Sequence, residues 1–235
     1  MTNALRIKQS RAELTTEHKG EDLTFIHPSY GPDDYTNVKE LIEKDNLEPP
    51  TMAETASLVH SVFNSDDTYS EEIKRIMKDK WLWAFIGILY IPNKGAYIQD
   101  NPRIKNGMSC MDQNELERKL EANDPCVRVV PFGFKTGEMS SLQLSKNEFI
   151  RAIAGEEGAE KLAEVVADKY RNKSQLYSFD SVNEPLTRVS ALYSDWDLDL
   201  RLVISGLNHG YSRDGHAFGV RRAREINREK KWIKI

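Results

Sequence analysis

The chain of 235 residues carries 33 Lys and Arg against 37 Asp and Glu, a formal charge of −4, with two cysteines, thirteen glycines and nine prolines. These proportions exclude a disulfide-stapled miniprotein, a collagen-like chain and a wholly disordered one: apolar residues suffice for a core, while Cys and Gly are too few for either scaffold. The longest apolar run, Trp81 to Ile91, has eleven residues, about half of the ~20 that cross a bilayer as a helix, so no membrane partner is expected. The polar Met1 to Arg11 stretch has no secretory core, and Cys110 and Cys126 show no disulfide or zinc spacing; both features read as a reduced, cytoplasmic protein.

Residues 1–35, broken by Pro28, Gly31 and Pro32, read as irregular. A short helix is predicted over Asn37 to Lys44, ended by Pro49-Pro50. Thr51-x-x-Glu54 then has capping-box form ahead of Ala56, Leu58, Val59, Val62 and Phe63, which predicts a helix over 52–63. Thr68-x-x-Glu71 leads a second helix, with Ile73, Ile76, Met77 and Ala84 at helical spacing. Trp81 and Phe85, four apart, are read on one face of its last turns.

After about Phe85 the pattern changes. Ile88 to Ile91, Pro-Asn-Lys-Gly and Ala96 to Ile98 read as strand, tight turn and strand, with Asn93 and Gly95 supplying positive φ. Asp112-x-x-Glu115 caps a short helix through Leu120, and Cys126 to Phe134 is β-like. Ser145-x-x-Glu148 opens the longest helical region, which Gly155-Glu-Glu-Gly158 either kinks or splits into two helices with a corner. Strands are predicted at 176–179 and 188–193. Leu198, Leu200, Leu202 and Ile204 alternate with polar residues as a half-buried strand does, and Ala217 to Ala223 follows as another.

Helices, a hairpin and a final group of strands with few strand–helix alternations indicate an α+β fold, helices packed on one face of a mainly antiparallel sheet. A single domain over 1–235 is expected, with Asp100 to Ser109 allowing a boundary near 105–112. The apolar girth of 81–91 indicates either central burial or a contact between copies in a homo-oligomer.

Charge singles out the C-terminal end. Residues 1–60 carry a net −5 and residues 213–235 a net +5, so an anionic ligand or nucleic acid is the natural counterpart of that end rather than of the whole chain. The segment Asn208-His209-Gly-Tyr211-Ser-Arg213-Asp214-Gly-His216 collects an imidazole pair, an arginine and a carboxylate between two predicted strands. Arg213 and Arg221 would anchor negative charge, with Asn208 and His209 orienting the partner. A solvated connection rich in turn formers has the same composition. His216 shares the face of Phe218 and Val220, where it is a core histidine or a base. Beyond it, Arg222, Arg224, Arg228, Lys230 and Lys231 extend the basic patch, with Trp232 available to stack a base.

A catalytic alternative uses Cys110, which precedes the helix capped at Asp112, as a thiolate nucleophile with His209 or His216 as base and Asp214 or Asn227 as orienter. The order of a cysteine followed by a histidine at a strand start resembles papain-like and transglutaminase-like hydrolases in those few residues, which would imply acyl transfer. Asp195, Asp197 and Asp199 alternate as calcium-loop ligands do, but no Gly stands sixth or Glu twelfth, so they read as edge charge. Gly133-Phe-Lys-Thr-Gly137 lacks phosphate-loop spacing. No metal and no particular cofactor is indicated.

Overall fold

The computed structural model describes residues 11–105, 108–195 and 200–222. Its helices begin where side chains satisfy the first free amides. Asp34 accepts the Asn37 amide ahead of α1 (Tyr35–Lys44). Thr51 and Glu54 form the reciprocal capping box of α2 (Met52–Phe63), as its sequence indicates. Helix α3 (Thr68–Asp79) is capped by Asp67 rather than Thr68. The Asp67 carboxylate accepts from the Ser70 hydroxyl and from the Tyr69 and Ser70 amides, which holds it well below the usual carboxylate range. Asp112 caps α4 (Gln113–Glu121). The start expected at Ser145 is two starts: Ser140 and Gln143 box α5 (Ser141–Lys146), and Asn147 caps α6 (Glu148–Lys169). Gly155, at φ 73°, turns a corner inside α6, which is why a glycine stands there.

Twelve strands are described: β1 (Ala12–His18), β2 (Glu21–Asp33), β3 (Trp81–Ile91), β4 (Gly95–Asp100), β5 (Arg103–Lys105), β6 (Met108–Cys110), β7 (Val127–Val130), β8 (Gly137–Met139), β9 (Ser174–Tyr177), β10 (Leu186–Asp195), β11 (Arg201–Asn208) and β12 (Gly215–Arg222). The main sheet runs β1-β2-β12-β3-β10-β11-β9-β8, with β4 pairing β3 and β7 joining β4; β5 and β6 form a separate ribbon. Only β9–β11 and the short β12–β3 contact are parallel, so the mainly antiparallel α+β reading holds.

Three sequence expectations are corrected. The N-terminal region is not irregular within its described part: β1 and β2 form a long hairpin, and Pro28, Gly31 and Pro32 lie inside β2, where its register against β12 slips. Trp81, Ala84 and Phe85 are strand rather than helix, since α3 ends at Asp79. Strand β3 is buried along almost its whole length, so its apolar girth is used within the chain and offers no face to a second copy. The helices also cover both faces of the sheet, not one.

The even-numbered side chains of β3, including Leu82, Ile86, Ile88 and Tyr90, share a core with α2, α3 and α6. On the other face Trp83 and Phe85 pack under α1 against Val38 and Ile42, while Leu89 and Ile91 meet Leu116 of α4. Each such fully buried side chain contributes about 2 kcal/mol of transfer free energy.

One edge of β3 serves two partners in succession. β12 pairs at Trp81 and Leu82, and β4 pairs from Ile86 to Ile91. Between them the Phe85 amide donates to the Pro50 carbonyl, and the Asn101 amide donates to the Phe85 carbonyl. The segment before α2 is thus a wedge between departing strands, joined to β12 by reciprocal Glu48 and Val220 bonds of 2.9 and 2.8 Å.

Candidate functional site

The link between β11 and β12 does not join neighbouring strands, as its turn-rich composition led us to expect. β3 and β10 stand between them, so residues 209–214 cross the end of the sheet. Two glycines pin this crossover. The Gly210 carbonyl accepts the Tyr35 amide at 3.0 Å, and its Cα packs against the Tyr35 and Val189 side chains at φ 85°. Gly215 lies against the indole of Trp83, whose Nε1 donates to the Asp33 carbonyl at 3.1 Å. Tyr211 and Arg213, between these anchors, and His209, just before the first, are exposed. Tyr211 is 60 % exposed, and its ring lies nearly parallel to that of His209, 10° apart at 6.4 Å.

The other sequence-predicted residues are largely engaged. Asn208 turns back on its own strand, its Nδ2 donating to the Ser205 Oγ at 3.0 Å. Asp214 pairs with Lys80, and Arg221 pairs with Glu13 of β1. Arg213 adds a small favourable field at Asp33, whose carboxyl is held low first by the Asp34 amide and then by Asn37. His216 faces the α3 side, with Nδ1 at 3.1 Å from the Ser29 Oγ. Burial pushes its pKa down, Lys80 adds to this, and Glu72 and Asp214 oppose it.

The catalytic pair is not assembled. Cys110 is exposed on the β5–β6 ribbon, whose neighbouring residues Ser109 and Met111 cover Gly87 on the α1 and α4 face of the sheet. His216 pairs across to Leu82, on the opposite face. The sheet therefore stands between thiol and imidazole. Asn227, Asp197, Asp199 and the basic residues from Arg224 to Lys231, with Trp232, lie outside the described residues; so does the expected start of β11 at Leu198.

Sequence reading missed a second place, a cleft of about 580 Å³ at the split in the sheet. Its walls are the tip of the β1–β2 hairpin, the start of α2, the ends of β4 and β7, and the Gly155 corner of α6. Arg128 grips Asp100 with two bonds of 2.6 Å and donates its Nε to the Ala152 carbonyl at 2.6 Å. The hairpin tip is fastened to the helices by three contacts. The Lys161 ammonium donates to the Glu17 carbonyl at 2.7 Å, the Lys19 amide donates to the Glu157 carboxylate at 2.9 Å, and His18 Nδ1 meets the Ser57 Oγ at 2.9 Å. Burial lowers the pKa of His18. These residues come from five separate segments with no shared motif; the Thr51 cap and the Gly155 break were the legible traces.

No protein-family model and no curated protein matches the chain. One solved structure does, described as "accommodation of massive sequence variation in Nanoarchaeota by the C-type lectin fold". It shares 19% identity, with a TM-score of 0.56, over 83% of this chain and 97% of that chain. The likeness is one of fold. Among the described residues no helix is long and apolar enough to cross a membrane, and no cluster of His, Cys, Asp or Glu is arranged to hold a metal ion.

Proposed function

We propose that this chain is a cytoplasmic binding protein that engages an anionic macromolecule through the crossover at 208–214, with Tyr211 as the stacking surface and Arg213 as the charge. The observation that carries the reading is the exposure of the His209–Tyr211 ring pair on a link fixed at both ends by Gly210 and Gly215. A large aromatic held in water on a rigid frame loses little conformational freedom when a partner covers it. The fold likeness is compatible with this, since the similar structure is described as a C-type lectin fold that accommodates massive sequence variation.

Fluorescence anisotropy with a labelled mixed-sequence single-stranded oligonucleotide, and with polyglutamate, at two salt concentrations tests the proposal. Binding should weaken as salt rises. Tyr211→Ala should lower oligonucleotide affinity about tenfold, the scale of one stacked base. Absence of binding to both polymers at low salt overturns the reading.

A further inference from the structure

The cleft lies at the other end of β2 and β12 from the crossover: Leu23 pairs with Arg222 at the cleft end, and Asp33 pairs with Gly215 at the crossover end. We propose that this cleft binds a small molecule carrying a primary ammonium group on a short aliphatic body.

The size is that of a small-ligand site, which spans roughly 300–1,000 Å³. Its charges are committed unequally. Arg128 is spent on Asp100 and on the Ala152 carbonyl, so it has little left for an incoming anion. The start of α2 is closed to an anion as well, because the Thr51–Glu54 box already occupies it and places a carboxylate there. The Ser57 hydroxyl accepts from Lys161 at 3.1 Å, donates to the Ala53 carbonyl at 3.4 Å and meets His18 Nδ1 at 2.9 Å, so the ring nitrogen of His18 on this side is already engaged. Lys19, at the hairpin tip, is the one lining cation with no side-chain partner among the described residues.

The carboxylates are arranged the other way. The side chains of Glu21 and Asp22 line the cleft and make no hydrogen bond or ion pair to any described residue, while the buried Glu54 carboxylate in the wall is held by the Thr51 amide and hydroxyl. Beside them Leu23, Ala53, Pro125 and Ile153 give an apolar lining that suits methylene groups. An ammonium at Glu21 and Asp22 with its chain along Leu23 and Ile153 satisfies both sets, whereas a carboxylate or phosphate would meet two uncommitted carboxylates against the single uncommitted ammonium of Lys19.

Cys126 lines the same cleft with an exposed thiol and reports occupancy directly. In a Cys110→Ser background, alkylation of Cys126 by iodoacetamide is timed with 1,5-diaminopentane and with uncharged 1,5-pentanediol at a pH of about 9.5, because burial and the neighbouring Asp124 push this thiol above its ordinary range while an alkyl ammonium stays largely charged. Saturable slowing by the diamine alone is the expected result. The double change Glu21→Gln with Asp22→Asn, at exposed positions that the core does not use, should raise the half-effective diamine concentration about tenfold, at two- to fivefold per carboxylate. Tyr211→Ala should leave it unchanged, so failure here is separable from failure at the crossover. Equal slowing by the diol, no slowing by either, or slowing by inorganic phosphate instead each overturns the proposal, and the comparison of the two probes on the Cys110→Ser protein stands even if the double variant does not fold.

Discussion

The Cα of Gly215 rests on the indole of Trp83 so closely that a methyl group there would occupy the space of the ring's Nε1 edge. The crossover therefore enters β12 at a point where no side chain fits, and Trp83 keeps its bond to the Asp33 carbonyl because of it. Gly215→Ala should destabilise the protein by about 3 kcal/mol through overpacking. In a chain of this length that lowers Tm by about 6–12 °C in a thermal melt. An unchanged Tm would mean that the indole can move without loss.

Arg128 and Asp100 tie β7 to the end of β4 at the cleft wall, with side chains 28% and 20% exposed. Arg128→Ala should cost about 2 kcal/mol in urea denaturation, less than a fully buried pair because water reaches part of it. Arg128→Lys should recover under half of that loss, since an ammonium cannot bond both carboxylate oxygens in the fork geometry.

Lys161 joins three elements through one ammonium: the Glu17 carbonyl of β1, the Ser57 hydroxyl of α2 and the Glu157 carboxylate of its own helix. Lys161→Met should leave the core intact while loosening the β1–β2 tip. Faster amide hydrogen exchange at Lys19, with unchanged exchange in β3 and β10, is the expected pattern. Uniform acceleration across the sheet would instead show that the tip is needed for global stability.

His18 and His216 both have pKa values lowered by burial. The unfolded chain takes up protons at these sites first as pH falls, so their contribution is fully present above about 6.5 and is lost as pH drops from there toward the depressed folded values. Urea midpoints should fall between pH 7.5 and the acid side of that window, and His216→Gln should flatten the slope. A midpoint independent of pH in the native chain would contradict the buried setting of both rings.

Local chemistry made much of the scaffold readable before any coordinates. The Thr51–Glu54 box, the Asp112 cap and the Asn93–Gly95 turn act through residues a few positions apart, and all appear where the sequence puts them. The errors fell where burial rather than periodicity decides. Strand β3 is apolar on both faces, so it lacks the alternation that separates strand from helix, and Trp81 and Phe85 fit either period. Pro28 and Pro32 read as breakers because a register slip against a strand some two hundred positions later leaves no local mark. For the crossover, composition located the loop but not the two strands it passes. The cleft was invisible for a different reason: its walls meet only because β12 and β4 leave the same edge of β3 in turn.

Pairing of β2 with β12 couples nearly the first described strand to the last. The apolar rows of β2 and β3 lack their shared neighbour until every residue between β3 and β12 has been synthesised. The loop closure that brings β12 between them is among the longest this topology allows, so the two sheet edges it joins are held together by contacts far apart in the chain.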